Sequence, residues 1–130
     1  HRKSPPMSHT PNHFACWFEI PVTDLEASKT FYAEVFDMDL KIEGGGPNPL
    51  VMFPVSDADG GVSGHLYPGT PSENGPTIHL VVPDNLIAAR SRVEAAGGKV
   101  ESENIEIPAG HFCYARDLDG NSIGLFEFKS

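Results

Sequence analysis

Glu19 and His79 are a carboxylate and an imidazole, two side-chain types that suit acid–base chemistry. A carboxylate beside an imidazole holds the proton on one ring nitrogen and leaves the other nitrogen as a general base. Such a pair can abstract a proton next to a carbonyl, and both side chains can also ligate a metal ion. The simpler alternative is a hydrogen-bonded pair that positions the wall of a binding site. The two residues are 60 positions apart, so each of these roles depends on a fold that brings them together.

The spacing of 60 residues recurs along the chain and indicates an internal duplication. Identical residues are found at this spacing at Val22 and Val82, Asp24 and Asp84, Asp57 and Asp117, Asp59 and Asp119, Gly60 and Gly120, and Gly64 and Gly124. Two equivalent units related by a near-twofold axis would bring Glu19 and His79 from matching strands toward one another. Glu19 and His79 are therefore the candidate catalytic residues.

Each half of the chain shows the same order of predicted elements. From Phe14 to Val22 apolar residues alternate, which predicts a strand with one apolar face. Asp24 suits a helix N-cap, and apolar residues then recur three and four positions apart as far as Phe36. Short apolar runs after this helix predict three further strands. The second half repeats the order with a strand from Thr77 to Val82, a helix capped by Asp84 and ending at Ala96, and strands from Lys99 to Ile107, His111 to Ala115 and Ser122 to Phe128.

Length and charge limit the classes of function. A chain of 130 residues suits one domain, which we expect at residues 13–130 with modules at about 14–70 and 77–128. Residues 1–12 lack apolar periodicity and are expected to be disordered, and residues 1–6 suit an expression-tag remnant. The net charge of −9 argues against a nucleic-acid partner. The sequence has no apolar stretch of membrane-spanning length, so no membrane association and a cytoplasmic location are expected.

Three motifs resemble sequences of a known family. They are FEIPVTDLEASKTFY from Phe18 to Tyr32, VEAAGGKV from Val93 to Val100, and DLDGNSIGL from Asp117 to Leu125. These motifs, together with the repeat, resemble the vicinal oxygen chelate superfamily of glyoxalases, bleomycin-resistance proteins and extradiol dioxygenases. The resemblance covers about residues 14–128. It implies an α+β fold of two tandem βαβββ modules that form an eight-stranded mixed sheet around an open cleft, and it implies a homodimer.

Metal-dependent members of this superfamily hold a divalent ion through His or Glu side chains at four equivalent positions. The resemblance places these positions at Trp17 and Thr77 on the first strands of the modules, and at Gly64 and Gly124 on the last strands. None of these residues is a usual metal ligand. No metal and no cofactor are therefore predicted. The alternative is a divalent metal bound by the candidate catalytic pair, if the assumed strand register is shifted by one residue.

Strand alternation from these positions predicts the lining of the cleft. The predicted ligand-binding residues are mostly apolar or aromatic: Trp17, Met52, Gly64, Leu66, Thr77, Phe112, Tyr114, Gly124 and Phe126. His65 is expected to point away from the cleft, because it follows Gly64. The predicted function is binding of a small organic molecule, with Trp17 stacking on a planar ligand. The alternative is a lyase, isomerase or dioxygenase of the glyoxalase type, in which Glu19 and His79 are an acid–base pair or metal ligands.

The repeated aspartates are interpreted as structural. Asp57, Asp59, Asp117 and Asp119 lack the longer series of oxygen donors that a calcium loop of the EF-hand type requires. Asp and Gly together favour tight connections between strands. The motif therefore predicts a turn in each module.

Overall fold

The computed structural model describes residues 10–44, 48–56 and 61–129. Within these ranges the chain forms nine strands and two helices, in the order β1 (Trp17–Val22), α1 (Leu25–Phe36), β2 (Ile42–Glu43), β3 (Leu50–Met52), β4 (Ser63–Pro68), β5 (Ile78–Val81), α2 (Leu86–Ala95), β6 (Lys99–Val100), β7 (Ile105–Ile107), β8 (Gly110–Arg116) and β9 (Ser122–Phe128). This order confirms an α+β fold of two tandem modules. Most of the segment predicted to be disordered lies outside the described residues.

The strands form two sheets, one in each module. The first sheet has the order β1-β4-β3-β2, and the second has the order β5-β9-β8-β6 with β7 also paired to β8. β1 is parallel to β4 and β5 is parallel to β9, while the remaining pairs are antiparallel. The structure thus has sheets of four and five strands instead of one sheet of eight. The ninth strand arises because the predicted strand from Lys99 to Ile107 divides into β6 and β7.

Helices α1 and α2 cover one face of the sheets and bury the apolar side of the alternating pattern. Ile20 and Val22 of β1 are 3% and 0% exposed, and they belong to one buried cluster with Phe31 of α1. Leu125 of β9 and Val93 of α2 extend the same cluster into the second module. Each fully buried side chain of this kind contributes about 1.5–3 kcal/mol to folding. Neither helix in the described part of the chain has the length and apolar character to cross a membrane.

The helix caps show where the two modules differ by one residue. Asp24 caps α1 as predicted, and its side chain accepts a hydrogen bond of 3.0 Å from the Ala27 backbone N–H. The prediction of Asp84 as the cap of α2 was wrong, because Asn85 accepts the equivalent bond, 2.9 Å long, from Ala88. Asp84 instead pairs with Arg92, whose hydrogen bonds lower the pKa of Asp84 to about 2.

Correspondence between the modules therefore changes along the chain. Asp24 corresponds to Asn85, which is 61 positions later. In the last strands, His65 pairs with Glu19 of the first strand, and Gly124 pairs with His79. His65 thus corresponds to Gly124, which is 59 positions later. Compared with module 1, module 2 thus has one extra residue between its first strand and its helix, and two fewer residues between its helix and its last strand. The spacing of 60 does not show these two differences.

The turn after β8 joins the two modules. Asp117 is 5% exposed and accepts hydrogen bonds from the Tyr32 hydroxyl at 2.7 Å and from the backbone N–H of Asn121 at 2.9 Å. The Asn121 side chain donates to the Pro21 carbonyl oxygen at 2.8 Å, and Thr23 donates to Asp119. The aspartates of module 2 therefore hold a turn and an inter-module contact, while Asp57 and Asp59 lie outside the described residues.

Candidate functional site

The face of each sheet opposite its helix is called here the open face. Alternation and strand pairing place on the first open face Trp17, Glu19, Met52, His65 and Tyr67. The same criteria place on the second open face His79, Phe112, Tyr114, Gly124 and Phe126. These two faces contain most of the ligand-binding residues that were predicted from the sequence.

Hydrogen bonding orders the first open face. Trp17 Nε1 donates a hydrogen bond of 2.9 Å to His65 Nδ1. The imidazole hydrogen is then on Nε2, which lies 3.4 Å from Glu19 Oε1. The ring of Tyr67 lies edge-on to the ring of His65, with 6.1 Å between centroids. His65 is thereby fixed between an indole and a carboxylate, and its side chain is 15% exposed against 62% for Glu19.

Ring packing orders the second open face. His79 is perpendicular to Phe112, with centroids 5.0 Å apart, and it lies 5.9 Å from Tyr114 and 6.3 Å from Phe126. Phe112 and Phe126 are parallel to within 3° at 5.9 Å. Partial burial of the otherwise exposed His79 ring lowers its pKa from 6.5, so the neutral imidazole is favoured.

Gly124 is the reason that His79 can adopt this position. A Cβ atom at residue 124 would overlap Nδ1 of His79, because the imidazole lies directly over the glycine. A residue without a side chain is therefore required for the observed arrangement.

A groove of about 530 Å³ lies between the two edge strands β1 and β5. Trp17, Thr77 and His79 line it, so three of the predicted site residues meet in one cavity. The rest of its lining is mainly apolar and includes Phe18, Phe36, Met38, Phe53, Leu80 and Val81. The other end of the gap holds a smaller cavity of about 150 Å³, against which the connector residues Thr70 and Gly75 lie. The larger groove is thus at the end that the connector leaves open.

Most hydroxyl groups of the groove are occupied by the protein itself. Ser63 Oγ donates a hydrogen bond of 2.7 Å to the Phe53 carbonyl oxygen. Thr77 Oγ1 is hydrogen-bonded to Ser122 Oγ. His79 is consequently the main polar side chain that the groove offers to a ligand.

The predicted inward orientation of Gly64 and Leu66 was wrong. Leu66 is 0% exposed in the buried cluster, and a Cβ atom at Gly64 would overlap the carbonyl oxygen of Phe18 on the helix side. The error follows from the uniform spacing of 60, because a shift of one residue moves a side chain to the opposite face of a strand. For the same reason His65, which was expected to point away, lies on the open face. Leu66 is apolar and lies in an alternating strand, which favours a buried position for its side chain. The same alternation predicts that the adjacent residue, His65, faces the opposite side.

Glu19 and His79 do not form the predicted pair. Glu19 contacts His65, and no hydrogen bond or ion pair joins it to His79. His79 is surrounded by rings of its own module. The duplication places the two residues at corresponding positions of separate sheets without bringing their side chains into contact.

The donor set does not suit a divalent metal. Across residues 10–44, 48–56 and 61–129, no three His, Cys, Asp or Glu side chains are grouped closely enough to hold an ion. Glu19 and His65 approach one another, but Gly124 has no donor and the ring of His79 lies over it. Two side chains are fewer than the three that a catalytic metal site usually requires. The residues present therefore do not fit the metal centre that the resemblance implied.

Solved structures show the same fold. A glyoxalase/bleomycin resistance protein from Albidiferax ferrireducens is 20% identical, with 90% of this chain and 100% of that chain covered and a TM-score of 0.70. A lactoylglutathione lyase from Agrobacterium tumefaciens is 21% identical, with 92% and 100% covered and a TM-score of 0.61. An antibiotic binding protein from Streptomyces sp. CB03234 is 25% identical, with 93% and 100% covered and a TM-score of 0.60.

No curated protein sequence matches the chain. The family model of the Glyoxalase/Bleomycin resistance protein/Dioxygenase superfamily matches residues 10–125, which include both helices, the first open face and most of the second open face. The tandem modules, their two sheets and this match agree with one another. The chain therefore belongs to the Glyoxalase/Bleomycin resistance protein/Dioxygenase superfamily.

Proposed function

We propose that this protein binds a small, planar, largely apolar organic molecule in the groove between β1 and β5, without a metal ion. The groove of about 530 Å³, with Trp17 and His79 at its sides, is the observation that carries the proposal. Sites for small molecules commonly enclose about 300–1,000 Å³ and combine apolar walls with a few polar groups. The volume and lining of this groove suit that description.

The chemistry of the walls favours a planar ligand. Trp17 is 44% exposed, so its ring presents a free surface at the groove. The lowered pKa of His79 favours a neutral imidazole, which exchanges hydrogen bonds with uncharged ligand groups. The antibiotic binding protein among the structural neighbours supports binding as the activity of this chain. Turnover is not part of the proposal, because Glu19 and His79 have different partners.

A second copy of the chain is proposed to cover the second open face. Val81, Tyr114 and Phe128 are 57%, 37% and 59% exposed on it, so three apolar or aromatic side chains of neighbouring strands face the solvent on one side of the sheet. A homodimer would bury these side chains beside the groove. Sedimentation velocity over a range of protein concentrations measures this, and a monomer at all concentrations would contradict it.

The single tryptophan provides a direct test of binding. Trp17 is the only Trp in the sequence, so its fluorescence reports on the groove alone. We expect planar aromatic compounds to change this emission in a saturable way, and aliphatic compounds of similar size to bind more weakly.

The variant Val81→Glu places a carboxylate at the side of the groove and is expected to weaken binding of the aromatic compounds about tenfold or more. Ile87→Glu is the matched control, because Ile87 is 74% exposed on α2, outside the groove. Equal affinity in Val81→Glu and the unaltered protein would overturn the proposed site. So would the absence of any saturable change across the compounds.

A further inference from the structure

Glu19 is a carboxylate on the first open face. His65 Nε2 lies 3.4 Å from its Oε1, and no Lys or Arg forms an ion pair with it among the described residues. The side chain is 62% exposed and lies two residues from Trp17 on the same face of β1. This carboxylate is therefore available to a ligand that reaches beyond the groove.

His65 is held in place beside Glu19. Its Nδ1 accepts the hydrogen bond from Trp17, so Nε2 is the ring nitrogen that faces Glu19 Oε1, at 3.4 Å. Glu19 is thus oriented by a histidine, and no Lys or Arg in the described part of the chain forms an ion pair with it.

The surroundings of Glu19 favour a cation. Glu19, His65 and Tyr67 line a depression of about 230 Å³, to which Asn48 and Leu50 also contribute. Within residues 10–44, 48–56 and 61–129, no Lys or Arg lines this depression. Aromatic faces beside a carboxylate attract ammonium and guanidinium groups through the ring quadrupole as well as through charge. The net charge of −9 adds a long-range attraction of the same sign.

We infer that Glu19, with Trp17 and Tyr67 beside it, is a receptor for a protonated amine, so the ligand of the groove is a planar molecule that carries a cationic group. This inference rests on the proposed function, because Trp17 is shared between the groove and the receptor. The planar part occupies the groove along one side of Trp17, and the amine projects toward Glu19 along the open face.

The test uses three compounds that share one planar body: 2-naphthylmethylamine, 2-naphthylmethanol and 2-naphthoate. Isothermal titration calorimetry measures the affinity of each compound for the purified protein. We expect the amine to bind about tenfold more tightly than the alcohol, and the carboxylate to bind most weakly. Glu19→Gln is expected to remove the advantage of the amine and to leave the affinity of the alcohol unchanged.

Glu34→Gln is the matched control, because it removes the same charge from an exposed position on α1. If Glu34→Gln lowers the affinity for the amine as much as Glu19→Gln does, the net negative charge of the protein explains the preference. The proposal that Glu19 binds the amine would then be wrong. Equal binding of all three compounds by the unaltered protein would overturn the receptor and leave the proposed function intact. Failure of all three to bind to the unaltered protein would overturn the proposed function itself.

Discussion

The two modules keep the same helix-side face and have different open faces. On the helix side, Ile20 and Val22 of module 1 correspond to Leu80 and Val82 of module 2, and all four are apolar. On the open side, module 1 has Trp17 hydrogen-bonded to His65, whose Nε2 lies 3.4 Å from Glu19, and module 2 has rings packed around His79. Core packing limits change on one face, while the other face is free to diverge after a duplication. The difference between the open faces is therefore the part of the molecule that reports on function.

The largest expected contrast lies between Gly64→Ala and Gly124→Ala. In module 1 the added Cβ meets the backbone and the ring of Phe18, which cannot move away within the core, so a loss of about 3 kcal/mol in the free energy of unfolding is expected. In module 2 the Cβ meets only the ring of His79, which is exposed and can rotate, so a loss below about 1 kcal/mol is expected. Urea denaturation of both variants measures the contrast. Similar losses in the free energy of unfolding would contradict the prediction that the two glycines lie in different surroundings.

A smaller effect is expected where the modules touch. Tyr32→Phe removes the hydroxyl that donates to the buried carboxylate of Asp117, and a loss of about 2 kcal/mol is expected for a hydrogen bond to a charged group. Tyr114→Phe makes the same chemical change on the second open face, where the side chain is 37% exposed, and should cost less than about 0.5 kcal/mol. Thermal unfolding followed by circular dichroism compares the two. If Tyr114→Phe lowers stability more than Tyr32→Phe, the hydrogen bond from Tyr32 to Asp117 does not contribute to stability as proposed.

The smallest effect concerns pH and His79. Burial lowers its pKa below 6.5 in the folded state, so between that lowered value and 6.5 the unfolded chain binds more protons than the folded chain. The contribution of His79 to stability is therefore fully present above pH 6.5, falls as the pH decreases toward the folded pKa, and is constant below it. The change in His79 ring resonances with pH, followed by NMR, measures the folded pKa. His79→Gln should remove this part of the pH dependence, and a titration of His79 at or above pH 6.5 would contradict the prediction.

Alternation of apolar residues was sufficient to predict the order of elements, because burial of one face is a local property that the sequence records. Phe18, Ile20 and Val22 are on the helix side of β1 as the pattern requires. The register of β4 relative to β9 was not predictable from identities alone. Gly64 and Gly124 share a motif position and yet face opposite sides of their strands, because the connections before them differ in length.

Side-chain partners across strands were the hardest part to predict. The partner of Glu19 is set by the pairing of β1 with β4, which joins residues 46 positions apart, and nothing in the local sequence of Glu19 indicates His65. The cap of α2 shows the same limit on a smaller scale, since Asp84 and Asn85 are equally suitable residue types. Two residues separate Val82 from the cap Asn85, whereas one residue separates Val22 from the cap Asp24.

The imidazole that lies over Gly124 also has an evolutionary consequence. Gly124 is at a position where the resemblance implies a metal ligand, and any side chain introduced there meets His79 first. A substitution to Glu would therefore require the exposed ring of His79 to rotate away, and this rotation would give up its packing against Phe112 and Tyr114. Substitutions at positions 79 and 124 are thus coupled, because a change at either residue alters the packing of the other.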